Sequence, residues 1–554
     1  MKVTRFDKFA ASVSPRWGAA RLRNKAVFAA FGGGGGVNDG YMIPGSGKRS
    51  MKGVTARAGS PDRDINAKLS GMRAISRDLS MNSPLASAML RRKKATIINA
   101  GLQVQARVDR GALGIDDETA EAFETAAERE FSLWADSLSC DYDGRHYFGE
   151  MQGLTLLNVF YSGDIFFTLP YVEPTGGNPY GTCVKLIDAD LVRDPRGVEP
   201  GKDIQGGVEK DKRGRPVAVH VWNCYEYDST RPGGVGESTR IPIYTSDGVQ
   251  QVFHVADFER IGQRRGVPLL APAVEPLKQL TRLSEAQLMN ALVSAYFTVF
   301  VKDLSGMGTT LGPAFTPEQS LFQAGHYGPN SEQTGTIADA DKNDLEMGVG
   351  NINYLDQNTD VTMADSRKVD TGFQAFWEAL GNQVTAVGGI PFEQAMIKYT
   401  TSYTAARAAL LDGWRETQDK RAMISRRFCS ICYQAVIDEA VTRGRLQAPG
   451  YFSDPLYRKA WTGSYWVGVG MGSIDPLKDV KATQFNLATL TTTYEEEYME
   501  RKGGRWDEAM NKRAREKKLL ARLDLKQDAV NENGTVSSSG STDDSGSDEA
   551  DNED

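Results

Sequence analysis

The spacing of apolar positions changes several times along this chain, and each change marks an element. From Asp64 onward Leu69, Met72, Ile75 and Leu79 recur every three or four residues, which predicts a helix with one buried face ending at Asn82-Ser83-Pro84. A second helix passes through Leu90 and Ile97 to Gly101, and Gln103 to Val108 then alternates polar with apolar, as a half-buried strand does. Asp116 and Asp117 can cap the next helix, on which Phe123, Ala127, Phe131 and Trp134 share a face. A turn at Asp141 to Gly144 precedes a helix expected over 146–161.

Between Asp164 and Val255 the period shortens to two. Strands are expected at Phe166–Tyr171, Thr182–Ile187, Val217–Trp222 and Val252–Val255, with Glu209 to Pro216 as a hairpin turn. Helix returns at Ala271, and from Pro272 to Val301 a helical period persists far enough to build an element about 45 Å long if unbroken. A Gly-rich and Asn-rich stretch over 302–350 leads to a strand at Ile352–Leu355. A helix then passes through Phe373, Phe376, Leu380 and Val384 to Gly388-Gly389. Leu411, Trp414, Ile424, Phe428, Ile431 and Ala435 lie roughly on one stripe of a helix running from near Thr404 to Gly444. A basic helix over Trp506–Leu523 comes last, and no internal repeat is visible.

Composition narrows the class without naming it. With 554 residues, three or four lobes are expected, and 40% hydrophobic with 25% charged residues describes a chain that mostly folds. Its longest apolar stretch, Ala291 to Val301, is short of the roughly 18 to 20 residues that cross a bilayer, so no membrane association is expected. Arg5, Asp7 and Lys8 precede no uninterrupted apolar run, so the chain is expected to be made and kept in the cytoplasm. Cys140, Cys183, Cys224, Cys429 and Cys432 are odd in number and scattered, which points to reduced thiols. Charge is unevenly spread: residues 1–110 hold 21 Lys or Arg against six Asp, whereas from Gln527 onward there are nine acidic residues and no basic one. Residues 1–63, including Gly32 to Gly36, are expected to form a flexible basic arm, and 527–554 a disordered acidic tail.

Candidate chemistry is sparse. Pro44 to Ser50 superficially resembles a phosphate-binding loop, but Met42 stands where that motif needs Gly, and Arg49 stands where it needs the magnesium-binding Ser or Thr after Lys48. Cys429 and Cys432 have the spacing of half a zinc site, yet no His lies within 100 residues, so buried inert thiols are the expectation. His146, His220, His254 and His326 are too dispersed to form a ligand set. Asp141 with Asp143, and Asp188 with Asp190, have the types of a divalent-metal pair but sit in turn-like contexts where solvated carboxylates are commoner. The run Arg91-Arg92-Lys93-Lys94 can attract phosphate or face solvent.

A set of ordered short motifs carries a resemblance. His254-Val255-Ala256-Asp257-Phe258-Glu259-Arg260 followed by Gly262-Gln263-Arg264-Arg265-Gly266-Val267-Pro268-Leu269-Leu270-Ala271-Pro272 resembles the signature of lambda-type phage portal proteins. In the same order come Arg77-Asp78-Leu79, Asn82-Ser83-Pro84, Trp134, Asp141, Gln152, Gly163-Asp164, Gly389-Ile390-Pro391-Phe392-Glu393, Tyr403-Thr404-Ala405-Ala406-Arg407-Ala408 and Ile474-Asp475-Pro476-Leu477-Lys478-Asp479. The family's usual Asn-Tyr-Ser-Ser is here Ser402-Tyr403-Thr404-Ala405, where Thr404 can cap the helix.

The resemblance implies an α+β, predominantly helical portal fold with wing, stem, clip and crown regions. Mapped onto this chain, residues 64–145 give the first part of the wing, 146–163 a stem helix, 164–255 a β-rich clip and 256–301 a long stem helix. Residues 302–403 give further wing and the channel loop, and 404–526 a long helix and crown. Within the loop Gly388 to Tyr403, Phe392 and Lys398 become the expected contacts to DNA in the channel. The implied assembly is a homo-oligomeric ring, typically a dodecamer, at one capsid vertex of the virion, built in the host cytoplasm. Double-stranded DNA would pass through without sequence specificity. The implied partners are the terminase large subunit and then a head-completion or connector protein at the clip, with major capsid and scaffolding proteins at the wing. No catalysis, cofactor or metal is implied. The competing readings are a DNA-processing enzyme, such as a nuclease or terminase subunit, and a head-tail adaptor without a channel.

Overall fold

A computed structural model describes residues 59–198, 203–226, 228, 236–295, 299–302, 352–355, 372–398, 402–472, 476–523, 529–530 and 536–537. The chain divides into two compact units at Ser60/Pro61. Residues 1–58 of the expected basic arm, with the loop around Lys48, and also His326 and most of the acidic tail lie outside the described residues, whereas Pro61 to Arg63, expected in the arm, belong to a helix in which Asp62 pairs with Arg264.

The second unit is predominantly helical with small sheets. After the short α1 (Pro61–Ile65) come α2 (Leu69–Asn82), α3 (Pro84–Ile97), β1 (Gln103–Ala106), α4 (Arg110–Leu113), α5 (Asp117–Ala135) and α6 (Phe148–Ser162). Seven strands follow: β2 (Asp164–Thr168), β3 (Lys185–Ile187), β4 (Asp203–Gln205), β5 (Val208–Lys210), β6 (Pro216–Trp222), β7 (Ser238–Pro242) and β8 (Val252–Ala256). Next are α7 (Val274–Ala295), β9 (Val299–Lys302), β10 (Ile352–Leu355), α8 (Phe373–Gly388) and α9 (Phe392–Met396). The remainder comprises α10 (Tyr403–Ile424), α11 (Ser430–Thr442), α12 (Pro455–Trp461), β11 (Ser464–Val467), α13 (Pro476–Ala488), α14 (Tyr494–Lys502), α15 (Trp506–Arg522) and a two-rung ladder of β12 (Ala529–Val530) with β13 (Val536–Ser537).

The stripe on α5 organises the main core. Asp116 accepts a hydrogen bond from Thr119 N and starts the helix, and Phe123, Ala127, Phe131 and Trp134 are then buried one above the other. Phe131 meets Phe148 of α6 edge-on at 5.4 Å, Tyr433 of α11 at 5.5 Å and Trp466 of β11 at 5.6 Å. One ring therefore ties early and late parts of the chain together. β11 also pairs antiparallel with β1.

β2 is a wall shared by two cores, because successive side chains on a strand point to opposite faces. Phe167 faces the main core and meets Phe428 at 5.0 Å, whereas Phe166 belongs to a second cluster with Ile187, Val192, Val208, Val219, Ile243 and Val252. β2 lies between β3 and β8, and the four strands β4 to β7 form an antiparallel meander over the second cluster.

Three expectations need correction. The helix expected to reach Val301 stops at Ala295, after which Val299–Lys302 pairs in parallel with Ile352–Leu355. Val299, Phe300 and Val301 are strong strand formers, and a partner strand some fifty residues away overrides their helical spacing. Instead of Thr404, Ser402 caps α10, its hydroxyl accepting from Ala405 N. The helix from 403 to 442 is interrupted by a π turn at Ser425–Cys429, which absorbs one extra residue and keeps Phe428, Cys432 and Val436 buried.

Candidate functional site

Two places gather the residues that sequence singled out. The first is the junction where Gly163-Asp164 meets Gln263 to Gly266. Asp164 is fully buried at the start of β2. Its Oδ1 accepts from Arg73 Nη2 at 2.6 Å and Arg265 Nη2 at 3.1 Å, and its Oδ2 from Arg265 Nε at 2.7 Å, His254 Nε2 at 3.1 Å and Gly266 N at 3.0 Å. Five donors saturate this carboxylate's lone pairs, leaving none for a metal ion or a substrate proton. Burial opposes its ionisation, but Arg265 and Arg73 outweigh that and hold it well below the usual carboxylate range.

The arginines are engaged just as fully. Arg265 also donates to the carbonyls of Val192, Gly206 and Ala189, and Arg73 to those of Ser162 and Ala189. Burial first, and then Arg265, push Arg73 down to about 9. His254 stacks on Phe166 at 4.1 Å; burial lowers its pKa against the pull of Asp164. Glycine is required at both 163 and 266. A Cβ on Gly266 would lie 1.9 Å from the Gly163 carbonyl oxygen, and Gly163 has a φ of +90°. The portal-like signature is thus a fastening that joins α2, β2, β8 and the run into α7.

The second place is the loop after α8. Gly389 adopts φ +64° and closes α8, and a Cβ there would collide with Glu416. Buried Lys93 donates to the Gly388 carbonyl and to Glu416, fastening the start of the loop to α3 and α10. Burial lowers the Lys93 pKa, and the Glu416 hydrogen bond works against that.

Phe392 and Lys398, the expected channel contacts, are placed differently from each other. Phe392 is only 9% exposed and packs edge-on against Trp377 at 5.9 Å, over Gly381, so it anchors α9 to α8. Contact with a duplex would require it to leave that packing. Lys398 is exposed, following Ile397 at φ +52°, and its Nζ lies 3.2 Å from Glu378.

The remaining candidates resolve into structural roles. Asp141 accepts from Asp143 N, Arg145 N, His146 N and the His146 ring, and Asp188 caps the turn at Asp190, whose own carboxylate meets Arg77 and Arg73. Cys429 and Cys432 are fully buried in the main core, and burial raises both thiols well above the ordinary range. Among the described residues no group of three or more His, Cys, Asp and Glu side chains is placed to hold a metal ion, and no helix is long and apolar enough to cross a membrane. In the run Arg91 to Lys94, Lys93 is buried while Arg91 is exposed.

Sequence reasoning noted Gly163-Asp164 and Arg264-Arg265-Gly266 but did not pair them, and it overlooked Arg73 and Glu416 altogether. Arg73 had left a trace, since it follows Leu69 by four residues within an apolar stripe.

The sequence profile described as phage portal protein, lambda family, matches residues 47–421, more than half of the chain. The chain belongs to the lambda family of phage portal proteins. Among curated portal proteins, portal protein B of Escherichia phage lambda is 24% identical over 449 residues, covering 79% of this chain and 82% of the relative. The portal protein of Escherichia phage N15 is 23% identical over 509 residues, covering 90% and 91%. Similar solved structures include a chain from the virion of a native gene transfer agent particle, with 12% identity, a TM-score of 0.39 and coverage of 78% of this chain and 92% of that one. Another is from the neck of the native particle computed with C12 symmetry, with 14% identity, a TM-score of 0.32 and coverage of 71% and 93%. This portal protein is a bacteriophage virion component, and the Asp164 fastening lies within the residues matched to the family.

Proposed function

We propose that this portal protein assembles into a ring of about twelve subunits at one capsid vertex, through which double-stranded DNA is packaged and later ejected. The match to the portal family over residues 47–421 carries this reading. In it the chain works by shape and catalyses nothing. DNA must slide, so phosphate attraction without base readout suits the channel better than sequence-specific contacts.

The packing supports a different division of the chain from the one expected. α6 is buried through Phe148, Met151, Leu156, Val159 and Phe160, which suits a body element rather than a stem. α7 and α8 pack together; α7 is buried at its first turns, through Leu277 and Leu280, and α8 at its last, through Gly381, Val384 and Thr385. The pair therefore leaves the body side by side in opposite chain directions, with Leu288, Met289 and Phe376 exposed farther out. In this reading α7 and α8 form the stem, and the terminase large subunit and then a head-completion or connector protein dock at its outer end. The β-rich 164–255 stretch joins 64–145 in a wing that meets major capsid and scaffolding proteins, and the helices after 403 form the crown. Lys398, at the foot of α8, is the channel-facing cation, and Phe392 sets its position.

Electron microscopy of the purified chain tests the assembly. Rings with a central pore are expected, and monomers or rings without a pore would remove the reading in favour of an adaptor. ATP hydrolysis or DNA cleavage lost on Lys48→Ala would favour a DNA-processing enzyme instead.

A further inference from the structure

The outer part of α15 is a helix without a described partner. Its first turn is held down by Arg505, which pairs with buried Glu128 beneath β1, and Trp506, Ala509 and Met510 are half-buried. From Asn511 to Leu519 every residue is exposed, and no residue of α15 is buried. This stretch and the turn after it carry Lys512, Arg513, Arg515, Lys517, Lys518 and Arg522, all exposed. None of these six side chains forms an ion pair or hydrogen bond with another described residue. At 100° per residue, Lys512, Arg515, Lys518 and Arg522 fall on one side, making a continuous cationic stripe.

A fixed array of like charges on an isolated helix is self-repelling, and a polyanion relieves that repulsion. The chain supplies one. Residues 527–554, beginning five residues past Arg522, hold nine Asp or Glu and no Lys or Arg. The part of α15 from Asn511 to Arg522 is about 17 Å long, and 28 residues have a contour length of up to roughly 90 Å, so the tail is long enough to run along the whole stripe. Attachment through so short a connection gives an effective concentration on the order of millimolar, enough to favour even weak electrostatic contact.

We propose that the stripe Lys512, Arg515, Lys518 and Arg522 is a polyanion-binding surface whose resident ligand is the chain's own acidic tail, residues 527–554. The tail screens the helix, so a phosphate backbone engages it only by displacing the tail. This goes beyond the ring reading and stands whether or not rings form.

The test uses a labelled synthetic peptide of residues 527–554, titrated by fluorescence anisotropy against three proteins: the full chain, a chain ending at Lys526, and that shorter chain carrying Lys512→Gln, Arg515→Gln, Lys518→Gln and Arg522→Gln. Gln keeps helix propensity at these exposed positions, and circular dichroism verifies the helix content. The expected result is saturable binding to the shortened chain, at least about tenfold weaker binding to the full chain, and loss of binding in the four-Gln protein. Raising salt from 50 to 200 mM should weaken the first interaction at least about tenfold. Equal binding to full and shortened chains, or binding indifferent to the four substitutions, overturns the proposal. So does a result in which a 20-base-pair duplex binds the shortened chain through these residues and the peptide does not, since the helix would then be a nucleic-acid site.

Discussion

Replacing Asp164 with Asn keeps the side chain's size while removing its charge and one of its two acceptor oxygens. In the native protein five donors converge on this carboxylate, and both guanidiniums beside it are almost entirely shielded from water. An amide has one oxygen to offer, so two or three of the five donors lose their partner, and the new NH2 group points at cations. Removing one member of a buried ion pair costs about 3–5 kcal/mol, because the opposite charge is left uncompensated. At about 2 °C per kcal/mol for a unit of this size, the midpoint of thermal unfolding should fall by about 6–10 °C.

Asp190→Asn provides the control. Asp190 pairs with the same Arg73, and with Arg77, but its side chain is 25% exposed, so water replaces what the substitution removes. It should cost less than about 1 kcal/mol, or about 2 °C. Both variants are melted beside the wild type at one protein concentration, because assembly adds to apparent stability. If Asp164→Asn melts within 2 °C of the wild type, or Asp190→Asn loses as much as it does, the fastening does not hold the body together as argued.

Other substitutions separate structural from channel roles. Gly266→Ala places a methyl group 1.9 Å from the Gly163 carbonyl oxygen and should give little soluble chain; wild-type yield and melting would refute the close approach. Phe392→Ala should cost about 3–4 kcal/mol in thermal melts, whereas Lys398→Gln should leave stability within about 0.5 kcal/mol and weaken salt-dependent DNA retention by rings. The opposite pattern would make Phe392 the DNA contact. His254 is held below the ordinary histidine pKa by burial, so the unfolded chain gains a proton first and stability should fall as pH drops below about 6.5. His254→Gln should lose less melting temperature than the wild type between pH 7.5 and pH 5.5, and equal losses would exclude this histidine as the source.

How much of this was legible depended on where each element finds its partners. α5 could be read outright, since its cap and its stripe of Phe123, Ala127, Phe131 and Trp134 are local. α2 was found but turned on its axis: the buried face is Leu69, Arg73, Ser76 and Leu79, whereas Met72 and Ile75 are only partly covered. Arg73 lies on the buried side because Asp164 is there, ninety-one residues away, and periodicity has no access to that fact. β4, β5 and β7 escaped notice because they are short and lean on long-range pairing, while α13 and α14 bury no residue and leave only a faint apolar stripe. The portal motifs were visible in order, but their physical purpose was not. Phe392, read as a channel contact from its place in a motif, is held against α8 by Trp377 and Gly381.

Arg265 stands nine residues before Val274, the first residue of α7, and is fixed at once to Asp164 and to the carbonyls of Ala189, Val192 and Gly206. The direction in which α7 leaves the body is therefore set by the same contacts that fix α2 and β2. A sliding DNA duplex needs no chemistry from such a subunit, but a ring closes only if every copy presents its helices at the same angle, since small angular errors accumulate around it. The contacts of Asp164 and Arg265 thus fix a geometry that ring closure would demand of every copy, and milder lesions at this fastening should broaden the distribution of ring sizes before they change how DNA passes.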